Sequence, residues 1–180
     1  MAKRTLKDLA GLKTAELEKI FQAGKTPDFE KLNGWEFKGY NVPFFARLLG
    51  IKKFKKGFFM KDDRQWGYNI PIYQNAIDDP WRCKPVDHNP KRFGFFSVKV
   101  VTPEAVENKE PGALILNYAD GKNLPWEGSF LRDYVKQVDP DNDDLYLGKA
   151  YSALGSARVA PSFFIIERDR QAPPTPVEER

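Results

Sequence analysis

The chain has 180 residues, 41% hydrophobic and 14% aromatic, a formal net charge of +4 and one cysteine, Cys83. That length suits one domain with a sizeable core, and a lone cysteine excludes an intramolecular disulfide and favours a reducing compartment. The mild charge singles out no anionic partner, and the lack of a long apolar run excludes a transmembrane helix.

Residues 1–32 read as an N-terminal helical segment. Thr5 and Thr14 stand as N-caps, Leu17, Ile20 and Phe21 follow at helical spacing, and Gly24 can close the helix. Thr26 and Pro27 then open a further short helix as cap and first residue. Leu9, Leu12, Leu17, Ile20, Phe21, Phe29 and Leu32 form a stripe that packs on the rest of the chain. The start "MAKRTLKDLAGLKTAELEKIF" is charged every few residues and lacks the apolar centre of a signal peptide, so a soluble cytoplasmic protein is expected.

From Trp35 the pattern changes to period two. "WEFKGYN" sets Trp35, Phe37 and Gly39 on one face, and Glu36, Lys38 and Tyr40 on the other. "PFFARLL" interrupts as a short helix. "KKFKKGFFM" and "WGYNIPIY" flank the hairpin turn "KDDR". "RFGFFSVKVV", "GALILNY", "SFLRDYVKQV", "DLYLGKAYSAL" and "SFFIIERD" follow, joined by turns such as "ADGK" and "DPDND". About eight strands in succession predict a mainly antiparallel, up-and-down β-barrel over residues 33–169, with a two-sheet sandwich as the alternative. Residues 170–180 form a Pro-rich tail that is expected to be disordered.

The pentapeptide "GYNVP" at 39–43 returns as "GYNIP" at 67–71, 28 residues later. The flanks "FFARLLG" and "IYQNAIDD" do not match, so the chain is not a repeat protein. Each copy reads as a strand end. Gly39 and Gly67 allow close backbone approach, Pro43 and Pro71 limit ladder bonding, and Tyr40 and Tyr68 are expected at a barrel rim where their hydroxyls find partners.

The chemistry-bearing residues divide by company. His88, the only histidine, lies in "PVDHNPKR" without neighbouring His or Cys, which favours a surface position over a metal or haem ligand. Cys83 in "WRCKP" reads as a packed thiol. Asp139, Asp141 and Asp143 have calcium-loop spacing, but Asp144 replaces the glycine and Ala150 the twelfth-position acid, so a solvated turn is expected. No metal and no cofactor are expected. Lys52, Lys53, Lys55 and Lys56 interleave with Ile51, Phe54, Phe58 and Phe59, a pattern that permits weak contact with an anionic membrane surface; no nucleic acid is expected. In "LRDYVKQV", Leu131, Asp133 and Val135 share the more apolar face. Asp133 is therefore an inward carboxylate, either a structural pin or a group that orients a ligand or handles a proton.

"FQAGKTPDFEKLNGWEFKG", "KKFKKGFF…WGYNI" and "LILNYADGKNLPWEGSFLRDYVKQVDPDNDDLYLGKAYSAL…FFIIERD" resemble a family of small bacterial proteins of unassigned activity. The Gly–Trp opening at Gly34 and Trp35 also resembles the start of calycin barrels, the class of lipocalins, fatty-acid-binding proteins and nitrobindins. The resemblance implies a calycin-like barrel in which Trp35 plugs the closed end. Departures are Tyr134, where an acid is expected after Arg-Asp, a shifted Gly39, and no match for a nitrobindin-like haem histidine.

The expectation is a barrel that binds a small apolar or amphipathic, lipid-like molecule without catalysis. Phe37, Trp66, Tyr68, Ile70 and Tyr118 would line the pocket, with Asp133 or Arg132 as polar anchor. An isomerase, cyclase or lyase using Asp133 and a Tyr is one alternative. A structural or partner-binding barrel filled with rings is the other.

Overall fold

The computed structural model describes residues 3–42 and 50–173, with only the backbone of Trp126. The helix expected over "PFFARLL" and most of the expected tail lie outside the described residues. Among the described residues, no helix is long and apolar enough to cross a membrane.

Among the described residues, ten strands follow in chain order: β1 (Trp35–Asn41), β2 (Lys53–Lys61), β3 (Arg64–Pro71), β4 (Pro85–Val86), β5 (Asn89–Pro90), β6 (Phe93–Val100), β7 (Leu114–Asn117), β8 (Leu131–Gln137), β9 (Leu145–Leu154) and β10 (Ala157–Gln171). The short pair β4–β5 forms its own ladder, and the other eight close in sequential order into a barrel. All its pairings are antiparallel, and β10 returns to β1 from Phe164↔Asn41 to Gln171↔Trp35. Closure of the barrel removes its sheet edges, so the mainly β, antiparallel up-and-down barrel expected from period-two patterning is the fold, consistent with the calycin-like barrel that the resemblance implies. β10 runs two residues beyond the expected barrel end at residue 169. The "KDDR" hairpin turns on Asp62 and Asp63 with φ of 49° and 57°, the left-handed pair that a two-residue hairpin loop demands.

The two pentapeptides share one device. Gly39 and Gly67 face the interior, and each lies under the ring of its cross-strand partner, Phe54 and Phe96. A Cβ at either glycine would sit 2.2 Å from that ring. Gly148 holds the Phe164 ring in the same way. The tyrosines do not reach a rim together. Both face outward: Tyr40 packs against an outer cluster, and Tyr68 is buried with its hydroxyl donating to Glu36 Oε1 at 3.1 Å.

The N-terminal segment covers the outside of the barrel and also closes one end. Helix α1 (Leu6–Ala10) has Thr5 as its cap, with reciprocal bonds to Asp8. In α2 (Thr14–Ala23), Lys13 rather than Thr14 is the cap residue, and its N–H donates to Glu16 at 2.9 Å. Gly24 is extended at φ −68° and leads into a bridge between Lys25 and Gln137. The helix expected from Thr26 is instead a 3-10 turn, Phe29–Lys31, capped by Asp28; the Thr26 hydroxyl donates to the Gly112 carbonyl at 2.7 Å. Leu6, Leu9, Leu17 and Phe21 cover Ile115, Tyr134, Leu147 and Ile165 outside the barrel. Phe29 and Leu32 join the interior cluster of Phe37, Phe58, Val135, Tyr146 and Ile166. These two residues plug the closed end more than Trp35 does. Trp35 is only half-buried, with the Arg168 guanidinium 4.4 Å above its ring.

Candidate functional site

Strand alternation turns Lys56, Asn69 and Asp133 into the barrel, and Tyr118 joins them from a 3-10 turn. In β2, Phe54, Lys56 and Phe58 share the inward face; Lys56 pairs with Phe37 of β1 and Asn69 of β3. In β8, Asp133 shares the inward face with Val135 and Leu131, opposite Leu116 and Ala150. Tyr118 enters just past β7, where Asn117 caps the 3-10 turn Tyr118–Gly121.

Lys56, Tyr118 and Asp133 are all nearly fully buried. Lys56 Nζ donates to Asn69 Oδ1 at 2.9 Å, to Asp133 Oδ2 at 3.1 Å and to the Tyr118 oxygen. The Tyr118 hydroxyl donates to Asp133 Oδ2 at 3.1 Å. Asn69 Nδ2 donates to the Tyr118 oxygen at 3.1 Å and the Gly94 carbonyl at 3.2 Å. Four rings, those of Phe54, Phe96, Tyr118 and Phe164, have centroids 4.9–5.3 Å from Nζ. Burial pulls the Lys56 ammonium below its usual range, and the Asp133 carboxylate opposes that shift. Burial, then the Asp133 charge, pushes the Tyr118 phenol well up, so it keeps its proton and acts as a donor. Asp133 Oδ1 is buried and has no hydrogen-bond partner among the described residues.

The cluster forms one wall of an interior cavity of about 190 Å³. Phe54, Phe93, Phe130, Leu131, Ala150 and Phe164 supply its apolar walls, with Asn41, Ile51 and Ser162 completing the lining. A larger hollow of about 870 Å³ runs along the outside past Arg64, Gln65, Trp66 and Lys99. Its lining mixes charged side chains with Trp66 and Val100 in nearly equal share, whereas the interior cavity sets apolar walls against a buried ion pair.

The structure brings together only part of the expected pocket. Tyr118 and Asp133 border the cavity. Phe37 is inward but lies in the filled end, 5.6 Å from the Phe58 ring and 5.8 Å from Tyr146. Trp66, Tyr68 and Ile70 face out of the barrel, because Gly67 and Asn69 take the inward positions opposite Phe58 and Lys56. Tyr68 and Ile70 are covered there by Ile72, Trp81 and Cys83 of the 72–92 segment. Arg132 is also outward; its Nε donates to Glu107 Oε1 at 3.1 Å, so it anchors no interior ligand.

The basic surface expected at Lys52, Lys53, Lys55 and Lys56 does not form, since only Lys52 is exposed. Lys53 Nζ donates to Asn75 Oδ1 at 2.6 Å and to the Asp79 carbonyl at 2.8 Å, and lies 3.5 Å from the Trp81 ring. Lys55 pairs with Asp169 at 2.8 Å, and Lys56 points inward. His88 is exposed in the turn between β4 and β5. Cys83 is buried, and burial pushes its thiol up to about 11.

No protein-family model matches the chain, and no curated protein matches it. The site therefore rests on its geometry. Two members of the cluster escape the sequence reading, Lys56 and Asn69, and Lys56 does so because it reads as part of a surface charge run. The signal was present: Lys56 is in phase with Phe54 and Phe58, the ring-bearing face of "KFKKGFF". Asn69 was missed for the opposite reason, because its face of β3 looked poorer in apolar side chains than that of Tyr68 and Ile70.

Proposed function

We propose that this protein is a noncatalytic, calycin-like binding protein of the cytoplasm that takes a small, mostly apolar molecule into the barrel beside Asp133. The observation that carries this reading is the cavity itself: apolar walls with a few convergent, buried polar groups are the usual composition of a ligand site. The volume of about 190 Å³ bears on the ligand's size. Small-molecule pockets usually span about 300–1,000 Å³, and an apolar cavity of about 150 Å³ holds benzene. A ligand of about one ring fits this range better than a long lipid chain.

The polar cluster also bears on the catalytic alternative. A phenol whose pKa is raised is a poor acid that holds its proton, so little phenolate is present to act as a base, and Lys56 spends its three hydrogens on Asn69, Tyr118 and Asp133. Such a fixed network suits orientation of a ligand better than repeated proton transfer. The test is a titration of the labelled protein with toluene, followed by backbone amide resonances. Saturable shifts confined to Leu131, Ala150, Phe164 and their neighbours are expected, and Ala150→Phe, which fills the cavity, should abolish them in a folded protein. Shifts that persist in Ala150→Phe, or none in the parent, would refute the reading.

A further inference from the structure

Donor and acceptor accounting at the cavity wall goes further than size. Each hydrogen of the Lys56 ammonium has an acceptor, the Tyr118 hydrogen goes to Asp133 Oδ2, and the Asn69 amide hydrogens go to Tyr118 and Gly94. The cluster thus has no donor left to give. What it retains is one acceptor without a partner, Asp133 Oδ1, in a residue only 4% exposed. A buried carboxylate oxygen without a partner is costly, and few remain so in folded proteins unless a water or ligand completes them.

Charge narrows the choice. Lys56 and Asp133 compensate one another at 3.1 Å. A carboxylate ligand would meet the acceptor Oδ1 with no donor from the cluster to satisfy it. An ammonium ligand would put a second cation beside Lys56 in a ring-lined, low-dielectric space. A neutral hydroxyl meets neither objection and supplies the missing hydrogen.

We infer that the ligand is a single-ring aromatic molecule bearing a neutral hydroxyl group, with the ring among Phe54, Leu131 and Phe164 and the hydroxyl donating to Asp133 Oδ1. This rests on the proposed cavity binding and specifies its chemistry. A hydrogen bond to an ionised acceptor is worth enough to separate a phenol from its hydrocarbon analogue by about tenfold or more.

The experiment compares four probes of similar shape in the same amide titration: toluene, p-cresol, p-toluate and p-methylbenzylamine. The expected result is p-cresol at least about tenfold tighter than toluene, with neither charged probe tighter than toluene. Asp133→Asn alone leaves the Lys56 ammonium without its counter-charge, so the double variant Asp133→Asn/Lys56→Met accompanies it. In that variant toluene should still bind, and the preference for p-cresol should shrink to about threefold or less. Equal binding of toluene and p-cresol by the parent overturns the hydroxyl assignment while leaving cavity binding intact. A charged probe as the tightest overturns the neutral head group. No binding by any probe overturns the cavity reading and this inference with it.

Discussion

Toward the Trp35 end of the barrel, the Phe37 ring stands 5.6 Å from Phe58 and 5.8 Å from Tyr146, with Phe29 and Leu32 in the same cluster. Toward the other end, the same strands carry Asn41, Lys56 and Asp133 around a cavity of about 190 Å³. One inward step along a strand, two residues or roughly 6.6 Å, separates Val135 from Asp133 and Phe58 from Lys56. Aromatic abundance therefore does not decide between a filled core and a hollow one. The hollow half keeps its rings against the wall: Phe54 lies over Gly39 and Phe164 over Gly148. Rings recessed in this way line a space instead of filling it.

The sharpest contrast should come from paired truncations. Phe37→Ala should cost about 3–5 kcal/mol, as large truncations in filled cores do. Phe130→Ala, at a cavity residue that is 48% exposed, should cost less than about 1 kcal/mol. Denaturant unfolding of both variants checks this, and similar costs would mean the two ends are packed alike.

Next in size is the ion pair. Asp133→Leu should cost about 3–5 kcal/mol because it strands the Lys56 ammonium among four rings. Lys56→Met/Asp133→Leu should recover to within about 1 kcal/mol of the parent or exceed it, since a buried pair is often replaceable by apolar side chains. Recovery of stability with loss of phenol preference would separate the pair's role in binding from its role in folding.

Gly148→Ala addresses the recessed rings. Its new Cβ would meet the Phe164 ring at 2.0 Å, so the ring must move. A cost of about 1–3 kcal/mol is expected, together with weaker uptake of toluene as the ring is pushed inward. Unchanged uptake would show that the recess does not shape the cavity.

The smallest effect concerns the outer face and acid. Burial raises the Glu107 and Glu110 carboxyls, but hydrogen bonds from Arg158 and Arg132 to the first, and from Lys149, Tyr151 and Gln22 to the second, leave both below their usual value. A depressed carboxyl contributes stability that is fully present above its unfolded pKa, about 4.3, and is lost as pH falls through its folded value. Glu107→Gln and Glu110→Gln should therefore flatten the loss of melting temperature below about pH 4.3 and leave its shape above that pH unchanged. An unaltered acid limb would mean these carboxyls are no better stabilised in the fold than outside it.

Legibility in the sequence followed the difference between the two faces of each strand. "LRDYVKQV" could be read because its outward Arg132, Tyr134 and Lys136 are more polar than its inward Leu131, Asp133 and Val135. "WGYNIP" misled because the 72–92 segment covers the outside of β3, so that Tyr68 and Ile70 are as buried as any interior residue. An apolar face marks the barrel interior only where the opposite face is the more polar one, as it is on β8 and is not on β3. The lysines of "KKFKKGFF" misled in the same way: Lys53 and Lys55 are outward yet covered, and Lys56 is inward yet charged. No local pattern encodes an ion pair whose members lie 77 residues apart.

The most direct test of ligand binding beside Asp133 is a crystal structure of the protein with p-bromophenol, located by the anomalous scattering of bromine. The account predicts a bromine peak inside the barrel among Phe54, Leu131 and Phe164, with the phenol oxygen within hydrogen-bonding distance of Asp133 Oδ1. Bromine found only in the outer hollow beside Trp66, with the interior cavity holding water alone, would contradict it.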